Sequence, residues 1–411
     1  MPSRRPRRGA PRLATAHPDE PGGRRGTGGR PVSAQPQSDD DRTILPRAQA
    51  WARTHHGHGG ERQVLAHADS HARFQTAGQQ QWSRVRREEA EAMLLRPGAS
   101  RALGAGHRAI EEEPDELRTC FERDHDRIVH STAFRRLAGK TQVVVYPTDH
   151  QRTRLTHALE VAQVATSVAR GIGANDVLAD AIALGHDCGH GPGGHASEDA
   201  FDAYIPEGYD HGPWGADVVL QHLNLCAETL DGIRNHSWSR PAPATLEGEI
   251  CSWSDRIAYC AHDLEDAIHA GIVTAAEVPA EVAQVVGVDR RSQLSAFIRN
   301  IVATTVETGQ VGMDPETAGA LAALRAFNYE RIYTRPESVA QSTAVVKVLQ
   351  ALVEHYAAHP ELMPADYHVG EDLVREAVTY VGGMTDRFAF DQAIRLLDWK
   401  QSDLPQGVWG N

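Results

Sequence analysis

Cysteine is scarce in this chain: five residues in 411 (Cys120, Cys188, Cys226, Cys251 and Cys260), with no C-x-x-C pair. An odd, scattered set argues against a disulfide framework or a thiolate zinc site, and a reducing, cytoplasmic compartment is the expectation. No run of eighteen apolar residues occurs, so no membrane span is expected. The basic N-terminus also lacks the apolar stretch of a secretory signal. Positive charge is in deficit, with 42 Lys and Arg against 55 Asp and Glu and a formal charge of -13. That balance argues against a surface given over to nucleic acid and leaves room only for local basic patches. Aromatic residues make up 6% of the chain and hydrophobic residues 41%. Such a composition, rich in Ala and Leu, favours helices over sheets and suffices for a sizeable core.

Residues 1 to about 80 are rich in Arg, Pro, Gly, His and Gln and have few, aperiodic apolar positions. They read as a disordered tail. The arginines Arg4, Arg5, Arg7, Arg8, Arg24 and Arg25 could meet single-stranded nucleic acid, although a solvated tail is the plainer account. Residues 81–411 carry helical periodicity throughout. Leu155, Leu159, Ala162, Ala165 and Val168 form a stripe that ends at Gly171 and Gly173, and a second helix follows the N-cap candidate Asn175 with Val177, Leu178, Ala181 and Ile182. A third helix is expected over about 245–270, with Ile250, Trp253, Ile257, Ala261, Leu264 and Ile268 on one face; others are expected near 315–331, 338–357 and 371–384. No series of alternating strands occurs. The expected fold is all-α, with a chemistry-bearing core over about 120–275 and a C-terminal helical part over about 276–400.

The densest chemistry lies in LGHDCGHGPGGHASED, Leu184 to Asp199, which gathers His186, His190, His195, Asp187, Glu198 and Asp199 around glycines. His-Asp occurs three times, at His125-Asp126, His186-Asp187 and His262-Asp263, so the dipeptide alone is weak evidence. Only the second closes an apolar helix and runs into a glycine-rich turn. Adjacent helical residues point about 100° apart, so His186 and Asp187 can converge on one ion only where the helix loosens, as Gly185 and Gly189 permit. His157, from the preceding helix, could supply a third ligand. Asp255 could supply a fourth, at the head of a polar stripe Asp255, Tyr259, Asp263 spaced i, i+4, i+8; the plainer account of that stripe is a solvated face. Two imidazoles and two carboxylates suit Mg, Mn, Fe or Zn and hydrolytic chemistry on a phosphoryl group. His195 and Glu198, one helical turn apart, could form an acid–base pair, though a lone histidine is more often structural.

In order along the chain, FERDHDRIVHSTAFRRLAGKTQV, RTRLTHALEVAQVA, LGHDCGHGPGGH, GIRNHS, PATLEGEICSWSDRIAYCAHDLEDA and YVGGMTDRFA resemble the bacterial deoxyguanosine triphosphate triphosphohydrolases of the HD superfamily. The resemblance spans roughly Trp82 to Leu397. It implies an all-α HD fold and a divalent metal held by His157, His186, Asp187 and Asp255. It also implies an acid–base role for His195 and Glu198, with His190 lining the same pocket and His211 on the phosphate side, although HGPWGAD departs from the Asn-Glu-Gln that commonly follows that histidine. Substrate contacts are implied for Arg154 and Arg256 (phosphates), Asp263 (the sugar 3′-hydroxyl), Tyr259 (under the ribose) and Gln142 (the sugar). Arg325 and Tyr333, read as i, i+8 on one helix face, are implied at phosphate and base. Deoxynucleoside triphosphate is the implied substrate, with a homo-oligomer and a nucleotide effector as implied partners. The ligand set alone also allows a phosphohydrolase of nucleoside monophosphates, cyclic nucleotides or guanosine tetraphosphate, and a weakly catalytic nucleotide-sensing regulator is the reading from another class. Where the family commonly has Pro and Phe, this chain has Gly191 and Gly193, and the lost aromatic predicts a looser turn.

Overall fold

The computed structural model describes residues 46–52, 57–60, 62–74, 80–143, 151–367, 370 and 372–406. The expectation of a tail over 1–80 lies largely outside them. Its described part holds one helix, Pro46–Ala52, and two short antiparallel strands pairing His58 with Leu65. The rest of the described chain is helical, and among the described residues no helix is long and apolar enough to cross a membrane. The fold is all-α, as composition and periodicity indicate.

Three helices build the centre. Arg154–Ile172 stops at Gly173, whose φ of 77° makes a left-handed C-cap that glycine adopts without strain. Asp176–Gly185 starts where the Asn175 side chain accepts from the amides of Val177 and Leu178. Leu246–His269 starts where the Thr245 hydroxyl accepts from Gly248. The first helix buries most of its sequence stripe, Ala162, Ala165 and Val168, but not Leu159. Leu159 is 52% exposed, and Ala158, Val161, Val164, Ala165, Val168 and Ala169 are the fully buried set. Small side chains allow these helices to pack closely, with His157 on the same buried side.

Two hydrophobic cores result. The first is built from the three central helices, Cys120–Val129, Arg290–Thr308 and Pro315–Asn328. The second joins His195–Phe201 to Pro336–Ala358, Leu373–Gly382 and Asp386–Leu397. Leu184 and Cys188 belong to the first core, Ala196 and Ala200 to the second. The glycine-rich stretch of residues 185–194 is therefore the corner at which the chain passes from one core to the other.

Candidate metal centre

The corner brings His186 and Asp187 against His157 and Asp255. His157 Nε2 lies 3.0 Å from Asp255 Oδ1, and His186 Nε2 lies 3.7 Å from that oxygen and 3.5 Å from Asp187 Oδ1. His157 Nε2 and Asp187 Oδ2 are 3.9 Å apart. Donor atoms of His157, His186 and Asp255 thus lie within 4.8 Å of one another, with the Asp187 carboxylate beside both imidazoles. The tautomer of His186 follows from a neighbour: its Nδ1 sits 2.6 Å from the Ala183 carbonyl oxygen and must donate, which leaves a lone pair on the buried, unpartnered Nε2. An imidazole nitrogen buried without a partner and flanked by two carboxylates fits a divalent cation.

The electrostatics agree. Burial pushes the Asp187 carboxyl up, but the Arg154 guanidinium and the imidazoles of His186 and His190 outweigh it and hold the group well below the carboxylate range. At Asp255 burial is likewise outweighed, by the His157 hydrogen bond and the neighbouring His186 imidazole. Both are anions ready to bind a cation. Arg154, 1% exposed, spends Nη1 on Asp187 Oδ2 at 2.8 Å. Its Nε and Nη2 are buried without hydrogen-bond partners. The arginine expected at phosphate is thus tied to the Asp187 carboxylate, with two donors unspent.

Next to this cluster stands a second one, of His190, His195, Glu198 and His211. His195 Nδ1 is bonded to Glu198 Oε2 at 2.8 Å, so the one-turn spacing does bring the pair together. The His195 side chain is 74% exposed and leaves Nε2 accessible. The other oxygen of Glu198 takes His211 Nδ1 at 2.6 Å, and His211 Nε2 faces His236 Nε2 at 3.0 Å. His236 Nδ1 must donate to the Ile233 carbonyl at 2.7 Å, so its Nε2 accepts and His211 donates from both nitrogens. His211 is therefore an imidazolium. The Glu198 hydrogen bond and charge outweigh burial to raise it, while burial and the charge of His211 push His236 down to about 3. At Glu198 burial is outweighed by the bonds from His195 and His211, so the carboxyl stays ionised. His190 stacks on His211 at 3.8 Å, and burial together with the Arg154 charge keeps it neutral.

The stripe Asp255, Tyr259, Asp263 is an inner face. Asp263 is buried, accepting from Tyr333 Oη and from Arg152 Nη2. Tyr259 Oη accepts from Arg325 Nε at 2.8 Å. Arg325 and Tyr333 do not share one regular helix, as their spacing suggested. The helix ends at Asn328 and Tyr329–Tyr333 winds as a π turn, yet each side chain reaches a member of the stripe. Gln142 lies with Arg152, Asp263 and Asp266 around a cleft, its Oε1 buried without a hydrogen-bond partner. Arg256 stacks 3.3 Å over the ring of Trp238.

The looser turn expected from Gly191 and Gly193 is not found. The Gly191 amide donates to Ser197 Oγ at 2.9 Å and the Gly193 amide to Asp386 Oδ1 at 2.8 Å, while Tyr209 Oη donates to the Gly189 carbonyl at 2.7 Å. Gly193 has φ 75°, and a Cβ there would collide with Val345 Cγ1, so an aliphatic side chain from the second core fills the space. Sequence reasoning did not assign Arg152, His236, Lys140 or Asp386 a part. All four lie within the six motifs, and only the folded chain shows what they touch.

The HD domain family model matches residues 154–260, and the phosphohydrolase-associated domain model matches residues 311–395. A deoxyguanosinetriphosphate triphosphohydrolase-like protein of Caldanaerobacter subterraneus subsp. tengcongensis is 38% identical over 328 residues, covering 77% of this chain and 95% of the relative. A protein of the same description from Clostridium perfringens strain 13 is 37% identical, covering 68% of this chain and 87% of its own. A third, from Desulfatibacillum aliphaticivorans, is 35% identical, covering 74% and 94%. With His157, His186 and Asp255 of the HD domain grouped where they could hold a metal ion, the chain belongs to the deoxyguanosinetriphosphate triphosphohydrolase-like family of HD-domain phosphohydrolases.

Proposed function

We propose that this hydrolase acts on deoxynucleoside triphosphates, releasing the deoxynucleoside and tripolyphosphate. The observation that carries the reading is the convergence of the His157, His186, Asp187 and Asp255 donors beside two unspent guanidinium donors of Arg154 and the His195–Glu198 pair. His157, His186, Asp187 and Asp255 would hold a divalent ion, Mg, Mn, Fe or Zn. Bound there, it supplies Lewis-acid polarisation of a phosphoryl oxygen and a lowered pKa for water.

The protein's own groups do the rest. Arg154 offers Nε and Nη2 to the phosphate chain, and Arg256 and Arg325 add planar cations, offsetting the charge that builds there despite an acidic protein. Glu198, ionised and bonded to Nδ1 of His195, holds the tautomer whose Nε2 can take a proton. A water attacks the α-phosphorus, its oxygen bonds to phosphorus and the bond to the 5′-oxygen breaks. His195 carries the proton from the attacking water to that oxygen. His211 and His190 line the phosphate side, as a fixed cation and a neutral neighbour. Asp263, Tyr259, Gln142 and Tyr333 form the sugar and base side of the cleft. The names borne by the relatives support the same substrate class.

The test is hydrolysis of each deoxynucleoside triphosphate, singly and mixed, with Mg or Mn, beside Asp187→Ala. Metal-dependent tripolyphosphate release that disappears in the variant supports the reading. No release from any of the four substrates, or unchanged turnover in the variant, sinks it. The same reading carries a homo-oligomer, a nucleotide effector and, through the N-terminal arginines, single-stranded nucleic acid as partners. Ultracentrifugation with and without nucleotides or oligonucleotides tests all three.

A further inference from the structure

His195 is presented by a corner whose local bonds, from the Gly191 amide to Ser197 Oγ and from Ser197 Oγ to the Gly194 carbonyl, stay within residues 191–197. Gly193 and Gly194 both have positive φ, and the helix they lead into, His195–Phe201, is only seven residues long. What ties the corner to the rest of the fold comes from far along the chain. The buried Asp386 carboxylate accepts from the Gly193 amide at 2.8 Å through Oδ1, and through Oδ2 from the Thr141 amide at 2.9 Å and the Thr141 hydroxyl. Thr141 in turn lies beside Gly194, whose Cβ, if present, would meet the Thr141 carbonyl oxygen at 3.0 Å. The buried Lys140 ammonium donates to the His190 carbonyl and, at 3.0 Å, to the Gly382 carbonyl. Glycine at 139 lets this segment approach Thr385, because a Cβ there would fall 2.8 Å from the Thr385 methyl.

We propose that Asp386 and Lys140 are positioning residues, which hold the 190–194 corner so that His195 and His190 keep their places beside the metal centre. The inference rests on the hydrolase reading, in which His195 moves the proton. Two observations separate it from ordinary core stabilisation. The bonds of Asp386 to Gly193 and Thr141, and those of Lys140 to the His190 and Gly382 carbonyls, go to the corner itself or to the segments packed against it. Among the described residues, neither side chain is hydrogen-bonded to His157, His186, Asp187 or Asp255. The C-terminal segment matching the phosphohydrolase-associated model, residues 311–395, thereby has a task in the reaction: it contributes the carboxylate and the Gly382 carbonyl that anchor the acid–base corner.

The experiment compares the full-length wild type with Asp386→Ala, Lys140→Met, Thr141→Val and Thr141→Ser. Amide exchange in peptides covering residues 189–197 is read against peptides from Arg154–Ile172 and Leu246–His269, beside manganese affinity, kcat and KM. Expected for Asp386→Ala and Thr141→Val is faster exchange in the corner peptide only, by about tenfold or more. Manganese affinity and KM stay near wild type, and kcat falls about 10–100-fold, the range found when a supporting residue lets a reacting group drift. Thr141→Ser, which keeps the hydroxyl, restores both readouts. Should Asp386→Ala fail to fold, Thr141→Val and Lys140→Met carry the comparison. Corner exchange that is unchanged, or raised equally in the central helices, overturns the proposal, as does raised corner exchange with unchanged kcat. If the wild type hydrolyses none of the four triphosphates, the reaction assigned above fails, and the exchange arm still decides whether Asp386 holds the corner.

Discussion

Nδ1 of His186 donates to the carbonyl oxygen of Ala183 at 2.6 Å, one turn back in the same helix end, and this bond turns a bare Nε2 toward Asp187 and Asp255. A ligand so oriented needs no rearrangement to receive a cation. His186→Ala and Asp187→Ala are expected to lose metal and activity by more than the about 10–100-fold typical of residues that only support a ligand. Metal content after dialysis and calorimetric manganese titration check this; stoichiometric metal in either variant would refute the assignment.

Glu198 joins His195 to His211 through its two oxygens. Glu198→Gln keeps the size but puts an amide N–H against a ring donor, so one of the two bonds is lost. We expect kcat to fall about 100–10,000-fold, as for removal of an acid–base group, with substrate binding little changed. Steady-state kinetics on the substrate found active measure it; a drop confined to KM would place Glu198 in binding instead.

Arg152 reaches Asp263, Asp266 and Glu160 from a buried position. Arg152→Met leaves the Asp263 carboxylate buried with Tyr333 alone, and breaking a buried pair from one side costs about 3–5 kcal/mol. Tyr333→Phe removes one bond to a charged acceptor, about 1.5–3 kcal/mol. Urea unfolding of the two variants should rank them in that order. Equal losses would mean that the arginine is held mainly by Asp266 and Glu160.

Burial pushes the Lys140 ammonium down from 10.5 to about 8. The unfolded chain therefore binds more protons than the folded one between those values, and the contribution of this group to stability rises with pH across that window. Below pH 8 the full penalty is present, about 3 kcal/mol. Wild type should gain on Lys140→Met between pH 8 and pH 10 in denaturant titrations. A constant difference would show that the ammonium is not desolvated.

Gly193→Ala meets both a left-handed φ of 75° and Val345. The conformation alone costs about 1–2 kcal/mol. Pairing it with Val345→Ala should return part of the added steric loss but not the conformational part. Thermal unfolding of the single and double variants separates the two.

Much of this was legible before folding was considered. Caps and breakers marked the central helices closely, because Asn175, Thr245 and Gly173 act through bonds and dihedrals local to each position. The i, i+3 pair His195 and Glu198 was legible for the same reason. Leu159 was misread because a helix packing small residues on one side leaves a large one outside, and periodicity does not say which face a neighbour will cover. The π turn at Tyr329–Tyr333 has no sequence mark that an i, i+8 count could register. Arg152, Lys140 and Asp386 escaped notice because their partners lie 111, 50 and 245 residues away, beyond any local pattern.

The passage of the chain from one core to the other through residues 185–194 has a mechanical meaning. Imidazoles 186 and 195 are anchored to different bodies of packed side chains, so any sliding of one body on the other is converted into a change in the distance between the two rings. Crystals grown with and without nucleotide can be compared on that one length.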